Sequence, residues 1–314
     1  MPTLRRPRFG SLQYWPRKRA KKSYARVRSW PDKKEAKPMA FIGYKVGMTH
    51  IMAINENKDA HTKGEELAVP VTILECPPIK ICSIRFYNSN NNASQLKKEI
   101  FFKSEKNLNK KTILPKENSK DLESINPDEY DNITITIYSQ PSKAGFGKKK
   151  PEVVEIAIGG KNADKVEYVK QNFDKELEIS TIFSENDLVD IRAITKGKGF
   201  QGPVKRFGIG LKSHKSEKGT RQPGSLGPWV RQQHIMWKVA HAGQTGYHQR
   251  IEHNKQILKI SDDVAALENN FHKYGNVKSQ YIMMHGSIAG PKKRAVILTT
   301  PLRNNIKKHQ LSIQ

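Results

Sequence analysis

The positive charge of this chain is concentrated in two segments. The 314 residues contain 56 Lys and Arg against 30 Asp and Glu, a formal net charge of +26. Residues 1–37 contribute +11 and residues 196–255 contribute +10, whereas residues 38–195 are almost neutral at −1. A neutral body with two strongly cationic segments is typical of a protein that enters a large polyanion.

Both cationic segments are too poor in apolar residues to form a core of their own. Residues 196–255 contain 10 Leu, Ile, Val or Phe among 60 residues, and residues 1–37 contain 4 among 37. Both fractions lie below the roughly 20% under which a highly charged segment is expected to be disordered alone. We therefore expect residues 196–255 to need an external partner to be ordered, and the folded core to lie in the neutral body.

Short strands dominate the elements that the sequence predicts for the body. Apolar and β-branched runs predict a strand pair around a glycine turn at 39–54, and a helix is predicted at 163–173 with a second near 262–270. The Asn-, Lys- and Ser-rich residues 88–131 are interpreted as a solvated insertion with one helix near 103–110. Further strands are predicted at 67–75, 79–87, 132–138, 152–158, 187–194, 280–285 and 294–300. Many short strands with few helices favour an antiparallel barrel interrupted by an α/β insertion.

Cysteine content and hydropathy exclude several classes of protein. Cys76 and Cys82 are interpreted as reduced, buried thiols, because a zinc site needs four ligands and no second pair exists. No stretch approaches 18 apolar residues, which argues against a transmembrane helix. Pro2, Pro7 and Pro16 would break the amphipathic helix of a transit peptide in the Arg-rich start. We expect a cytoplasmic protein with no cofactor and no metal.

A literal G-x-G-x-x-G at residues 197–202 does not fit a dinucleotide-binding fold. Pro203, Lys205 and Arg206 follow it, and no strand ending in an acidic residue comes about twenty residues later. Glycines also let the main chain approach phosphates closely, and flanking cations neutralise those phosphates. We favour this phosphate-binding interpretation.

Histidine and tryptophan residues of the second cationic segment favour nucleotide contacts. His214, His234, His241, His248 and His253 form no metal or catalytic motif, so we interpret them as hydrogen-bonding or stacking on nucleotides. A tryptophan, Trp229, follows Gly-Pro in a polar, basic context and is predicted to stack in an RNA pocket at the tip of the segment. The alternative is local packing of this tryptophan against the Met-Trp pair at 236–237.

Six stretches spread in order along the chain form a recognisable set of motifs: residues 17–31, 43–49, 195–208, 224–229, 242–248 and 286–294. Together they resemble the large-subunit ribosomal protein three family in its archaeal and eukaryotic form, and Gly-Ser-Leu-Gly-Pro-Trp at 224–229 is closer to the archaeal type. The resemblance implies a mainly β fold: a translation-protein-type antiparallel β-barrel with an inserted α/β domain, an extended N-terminal arm and a long central RNA-penetrating loop. The expected segments are a basic extension at 1–38, a barrel body at 39–78, 180–195 and 256–314, an inserted α/β domain at 79–179, and a Gly-rich basic loop at 196–255.

The resemblance implies a structural constituent of the large ribosomal subunit rather than an enzyme. Such a protein binds 23S-type rRNA, aids early assembly and shapes the region near the peptidyl-transferase centre, and Trp229 takes the place of the family's loop-tip tryptophan. Some members carry a modified histidine in this loop, but the residues around His214 depart from that pattern, and we do not transfer the modification. The expected partners are large-subunit rRNA and neighbouring large-subunit proteins, with no membrane and no small-molecule substrate.

The residues expected to contact RNA share basic, aromatic, amide or imidazole side chains. They are Arg5, Arg6, Arg8, Trp15, Arg17, Lys18, Arg19, Lys21, Lys22, Arg26, Arg28, Lys45, Lys196, Lys198, Phe200, Gln201, Lys205, Arg206, His214, Arg221, Trp229, Arg231, His234, Trp237, Lys238, Gln244, Tyr247, His248, Arg250, Lys292, Lys293 and Arg294. Two alternatives stay open from the residues alone. One is an RNA-modifying or RNA-cleaving enzyme, which would need a titratable cluster in a folded pocket. The other is a chromatin-type DNA binder.

Overall fold

Strands are the main elements of the fold, as predicted. The structure, a computed structural model, describes residues 11–90, 93–102, 106–113, 125–227, 235–267, 270–303 and 308–313. The strands are β1 (Ala40–Asn55), β2 (Glu66–Glu75), β3 (Ile79–Asn90), β4 (Ala93–Phe101), β5 (Asn132–Ser139), β6 (Val153–Ala157), β7 (Leu188–Ile194), β8 (Phe200–Gln201), β9 (Gly243–Gln244), β10 (Gln249–Ser261), β11 (Tyr281–His285), β12 (Ala295–Thr299) and β13 (Leu311–Ile313). The α-helices of the described residues are α1 (Asn162–Asn172) and α2 (Pro203–Phe207). Single 3₁₀ turns lie at Leu12–Tyr14, Leu108–Lys110, Pro127–Glu129, Pro141–Lys143, Ile179–Thr181 and Val264–Ala266.

The largest sheet closes on itself through its first strand. Its strand order is β12-β7-β10-β11-β2-β1-β13, and β1 also pairs with β12. The long strand β1 pairs its first half with β12, from Ala40 opposite Thr299 to Tyr44 opposite Ala295, and its last residues with β13. Six strands therefore form a closed cycle of pairings, which removes the exposed edges that an open sheet would present.

A second sheet has the order β4-β3-β5-β6 with antiparallel pairings throughout. Its strands follow one another in sequence between β2 and β7 of the large sheet. Helix α1, which buries Val166 and Val169, belongs to the same stretch of chain. The helix begins one residue earlier than predicted, because Asp164 accepts a hydrogen bond from the main-chain N–H of the capping residue Lys161 at 3.3 Å.

A buried carboxylate joins distant parts of this fold. Glu75, at the end of β2, is fully buried and accepts hydrogen bonds from the main-chain N–H groups of Gly145, Lys278 and Ser279 at 2.7–3.1 Å. The hydroxyl of Tyr274 also donates to it. Burial and the neighbouring carboxylate raise the pKa of Tyr274, so this phenol stays a donor. The carboxylate charge is thus satisfied by donors rather than by a cation.

Several sequence expectations for the body are wrong in detail. The strand pair predicted around a glycine turn at 39–54 is one continuous strand, β1, with only a register shift between Lys45 and Gly47. Of the helix predicted near 103–110, the described residues form only the 3₁₀ turn Leu108–Lys110. Within the predicted solvated insertion, residues 93–101 form the edge strand β4, whose Gln, Lys and Glu side chains carry no strand signal because an edge strand tolerates polar residues. The helix predicted at 262–270 is only the turn Val264–Ala266, where Asp263 caps the main-chain N–H of Ala265 at 3.0 Å and the chain is extended again at Leu267.

Residue contacts divide the chain into two compact units. One contains residues 23–193 and 250–314, including the closed cycle and the second sheet. The other, which we call the cationic unit, contains residues 1–22 and 194–249, with 18 Lys and Arg and a single acidic residue, Glu217. Residues 1–22 of the first basic segment and 196–249 of the second therefore share one unit, which their separation in sequence did not predict. No helix in the described part of the chain is both long enough and apolar enough to cross a membrane.

Candidate nucleic-acid interface

The two ends of the central segment are hydrogen-bonded to each other and form what we call the loop base, residues 195–201 and 243–248. Strands β8 and β9 pair Phe200 with Gln244. Main-chain N–H groups of Lys198 and Thr245 donate to the carbonyls of Thr245 and Gly199 at 2.9 and 2.8 Å. This ladder closes a segment whose glycines otherwise leave the backbone free, so the loop base has a defined geometry.

The N-terminal segment lies along the loop base. The N–H of Ala20 donates to the carbonyl of Tyr247 at 2.8 Å, and Nδ1 of His248 lies 2.8 Å from the carbonyl oxygen of Lys18. Because a carbonyl only accepts, Nδ1 of this buried histidine carries the proton. His248, predicted to contact nucleotides, therefore binds the protein's own main chain.

Aromatic rings and guanidinium groups form a cluster within the cationic unit. Trp15 stacks on the buried Phe207 with ring centroids 5.8 Å apart and an interplanar angle of 16°, and Trp237 meets Trp15 edge-on at 5.7 Å. The guanidinium carbons of Arg17 and Arg206 lie 4.4 and 5.1 Å from the Phe207 ring centroid. These contacts hold the N-terminal segment against α2.

Arg206 of this cluster is bound by main-chain oxygens. Its Nε donates to the carbonyl of Gln244 at 3.1 Å, and its Nη1 donates to that of His241 at 2.9 Å. A Cβ placed at Gly243 would lie 2.9 Å from Nη1, so the guanidinium occupies the space that this glycine leaves. Burial lowers the pKa of Arg206, and the charge of Arg17 lowers it further. Arg206, predicted to contact RNA, instead connects α2 to the far side of the loop base.

Most of the other predicted contact residues of the cationic unit face solvent. Its exposed cations and imidazole are Lys18, Arg19, Lys21, Lys22, Lys196, Lys198, Lys205, His214, Arg221 and Lys238. Two aromatic side chains lie among them, Phe200 at 77% and Trp237 at 60% exposure. The amides of Gln201 and Gln244 are half-buried and donate to the main-chain carbonyls of Lys198 and Gly246 at 2.8 and 3.0 Å. Exposed cations beside exposed aromatic rings are the combination that single-stranded RNA requires.

In the other unit, the predicted residues divide by burial. Arg26, Arg28 and Lys293 are exposed, whereas Arg250, Lys292 and Arg294 are half-buried. Lys45 is buried, its ammonium donates to the carbonyl of Ile288, and burial lowers its pKa. The charge of Lys45 is therefore used inside the protein, in place of the predicted RNA contact.

His253 also has a partner within the protein. Its Nδ1 lies 2.8 Å from a carboxylate oxygen of the fully buried Asp190. The same carboxylate accepts the main-chain N–H of Asn254 at 2.9 Å, where the chain has a positive φ of 53°. Asp190 therefore binds both His253 and the positive-φ position of β10, and the sequence offered no signal of it because Asp190 is 63 positions away from His253.

Six predicted contact residues lie outside the described residues. They are Arg5, Arg6, Arg8, Trp229, Arg231 and His234. The prediction that Trp229 stands at the loop tip therefore stays a prediction.

Sequence reasoning missed Phe207 and Gly246, two residues that shape the cationic unit. Phe207 is the ring on which Trp15 and two guanidinium groups pack. Gly246 has a φ of 72°, and a Cβ there would lie 2.0 Å from the carbonyl oxygen of Lys196. The glycine spacing in Gly-Gln-Thr-Gly was the available signal for this close approach. In the described part of the chain, no group of three or more His, Cys, Asp or Glu side chains is placed to hold a metal ion.

A β body with a net charge of +9 and a cationic unit with a net charge of +17, exposed basic residues and exposed aromatic rings define a basic structural protein suited to a large polyanion. Comparison with known families agrees with this class. The family model described as ribosomal protein L3 matches residues 1–313, and the chain belongs to this family. The family is one of structural ribosomal proteins, and the chain is not an enzyme.

Similar proteins include several from archaea. A protein named large ribosomal subunit protein uL3 from Methanopyrus kandleri is 42% identical over 311 residues, covering 95% of this chain and 86% of the relative. Proteins of the same name from Methanothermobacter thermautotrophicus and Methanocaldococcus jannaschii are 41% and 40% identical over 311 residues, each covering 92% of the relative and 95% and 96% of this chain. The similarity thus spans both units.

Proposed function

We propose that the chain is a structural constituent of the large ribosomal subunit that binds 23S-type rRNA through its cationic unit. The observation that carries the proposal is the charge of this unit, 18 Lys and Arg against Glu217 alone, with most of the described cations exposed. A folded protein that concentrates so much charge of one sign is destabilised by self-repulsion until a polyanion neutralises it. Early assembly and shaping of the region near the peptidyl-transferase centre belong to the same proposal.

The closed cycle of six strands supports a translation-protein-type antiparallel β-barrel, built from residues 39–78, 180–195 and 256–314. The second sheet and α1 fall between β2 and β7 in sequence, which supports an inserted α/β domain at 79–179. The basic extension is proposed at 1–38 and the Gly-rich loop at 196–255.

Different residues of the cationic unit are proposed to supply the affinity for rRNA and the recognition of a particular RNA structure. The exposed lysines and arginines neutralise phosphates, which supplies sequence-independent affinity. Exposed rings such as Phe200 and Trp237 offer stacking surfaces for unpaired bases. Arg206 and His248 stabilise the protein itself, because their hydrogen bonds hold the loop base in its conformation in the absence of RNA.

The distal part of the loop is proposed to take its shape from RNA. Residues 208–227 are mostly exposed and make few main-chain hydrogen bonds, one of them from Lys212 to the carbonyl of Thr220 at 3.0 Å. Trp229, just beyond them, is proposed as the loop tip near the peptidyl-transferase centre. Neighbouring large-subunit proteins are the other proposed partners, and the cytoplasmic ribosome is the proposed location.

Nuclease treatment of a cell extract tests this function against a chromatin-type role. We expect the chain to sediment with a very large particle, to be released from it by RNase and to be unaffected by DNase. Release by DNase, or sedimentation as a free chain in untreated extract, would refute the ribosomal proposal.

A further inference from the structure

The cationic unit contains a cavity beside the loop base. Its volume is about 680 Å³, and it is lined by Arg19, Ala20, Lys21, Gly197, Gly199, Gln244 and Tyr247. This volume is within the roughly 300–1,000 Å³ typical of small-molecule sites. Its lining thus combines one aromatic ring, two cations, one side-chain amide, one alanine and two glycines.

The aromatic ring of the cavity stands on a strained backbone. Tyr247 has a φ of 53°, which is uncommon for a bulky residue, and it follows Gly246 at 72°. Two contacts enforce this conformation: the carbonyl of Tyr247 accepts the N–H of Ala20 at 2.8 Å, and Gly246 packs against the carbonyl of Lys196. Strain held in place by its surroundings is found most often at binding sites.

The ring also lies over main chain that carries no side chain. A Cβ built on Gly197 would lie 3.6 and 3.7 Å from Cβ and Cδ2 of Tyr247, ordinary contact distances. Gly199, on the same wall, has a φ of 67° and open space where a Cβ would be. Gly197 therefore packs against Tyr247, and Gly199 leaves open space in the lining of the cavity.

The two cations at the cavity have no carboxylate partner among the residues that the structure describes. Arg19 and Lys21 are both exposed, and neither forms an ion pair with a carboxylate in the described part of the chain. The single acidic residue of the cationic unit, Glu217, is exposed and does not line the cavity. Such a pair of cations attracts an anionic group.

We propose that this cavity receives one unstacked nucleotide of RNA, with its base on the Tyr247 ring and its phosphate between Arg19 and Lys21. The inference rests on the proposed function and names a site within it. Bases inside a duplex are stacked and out of reach of a ring set in a cavity, so the target is a bulge, a loop or a strand end. Gln244 lies on the wall; its NH₂ group donates to main-chain carbonyls of the loop base, so its side-chain oxygen is the acceptor offered to the edge of the base.

Ring variants of the full chain test the site by binding to transcribed 23S-type rRNA. Tyr247→Asn removes the ring but tolerates the positive φ, and we expect affinity to fall between about 5-fold and 150-fold, the range of one base–aromatic stack. Tyr247→Phe keeps the ring, and its affinity should stay near that of the wild type. Equal affinity of the Asn and wild-type chains, or equal losses for Asn and Phe, would overturn the proposal.

Charge variants separate this site from general phosphate binding. Arg19→Ala and Lys215→Ala each remove one exposed cation of the same unit, but Lys215 does not line the cavity. We expect the larger loss for Arg19→Ala, and equal losses would overturn the site while leaving the proposed function intact. Failure of the wild-type chain to bind the transcript would refute the function itself.

A crosslink in the wild-type protein keeps the proposal testable even if a variant misfolds. A transcript containing 4-thiouridine is irradiated with the intact chain, and the adducts are mapped by mass spectrometry. An adduct on the peptide containing Tyr247 is expected. Adducts confined to other peptides of the chain would overturn the proposal.

Discussion

Replacing Arg206 by lysine should loosen the loop base even without RNA. The guanidinium makes two hydrogen bonds to carbonyls at 2.9 and 3.1 Å and packs on the Phe207 ring. A hydrogen bond from a charged donor contributes about 1.5–3 kcal/mol, and an exposed cation–π contact about 0.5–1 kcal/mol. A lysine ammonium lacks the planar fork and keeps one of these bonds at most. We therefore expect Arg206→Lys to destabilise the closed loop base by about 2–4 kcal/mol.

Hydrogen exchange of the free protein measures this loss directly. The amides of Lys198 and Thr245 are bonded across the loop base, so they exchange only when it opens. A loss of about 2–4 kcal/mol corresponds to exchange roughly 30- to 700-fold faster. The control is Lys205→Ala, which removes an exposed cation from the neighbouring position of α2 and should leave both amides unchanged. Unprotected amides in the wild type, or identical exchange in Arg206→Lys, would refute the reasoning.

Three further predictions concern the body and the loop tip. Glu75→Gln replaces one acceptor oxygen of the buried carboxylate by an NH₂ group that faces main-chain donors. Urea unfolding should therefore show a free energy of unfolding about 3 kcal/mol lower than that of the wild type. An unchanged urea midpoint would contradict this prediction. Burial raises the pKa of Cys82 to about 11 and the pKa of Cys76 well above its usual value. Both thiols should therefore stay protonated at pH 8 and react with iodoacetamide only after the protein unfolds. Fast labelling of the native protein would contradict the buried positions of the two cysteines. Trp229→Ala should leave the thermal unfolding of the body unchanged and alter drug or factor sensitivity near the catalytic centre of the ribosome, whereas unfolding of the body would place this tryptophan in the core.

The body was predictable from sequence because its elements carry local signals. Strands β2, β5 and β11 match the apolar runs to within a residue or two, since a buried strand must supply apolar side chains throughout. Strand β4 was missed because its side chains are mostly exposed at a sheet edge. A local pattern therefore reports burial better than it reports strand conformation.

The cationic unit was predictable in its charge but not in its internal contacts. Arg17 donates to the carbonyl of Arg206, 189 positions away, at 3.4 Å, and no sequence pattern encodes such a pairing. Composition counts every lysine and arginine alike, so it could not distinguish the buried Lys45 or the bonded Arg206 from the exposed Lys205. The resemblance to the ribosomal protein family indicated the order of the motifs along the chain. The structure shows which basic side chains are exposed and can contact RNA.

Salt dependence of rRNA binding tests the central claim most directly, because it counts the phosphates that the cationic unit neutralises. For about ten phosphates, the logarithm of the affinity should fall against the logarithm of salt concentration with a slope of about −7 to −9, the limits for single strands and for duplex. The purified full chain is titrated with transcribed 23S-type rRNA at several salt concentrations. A slope in that range is the predicted result, and a slope near −2 would contradict a function based on this concentration of charge.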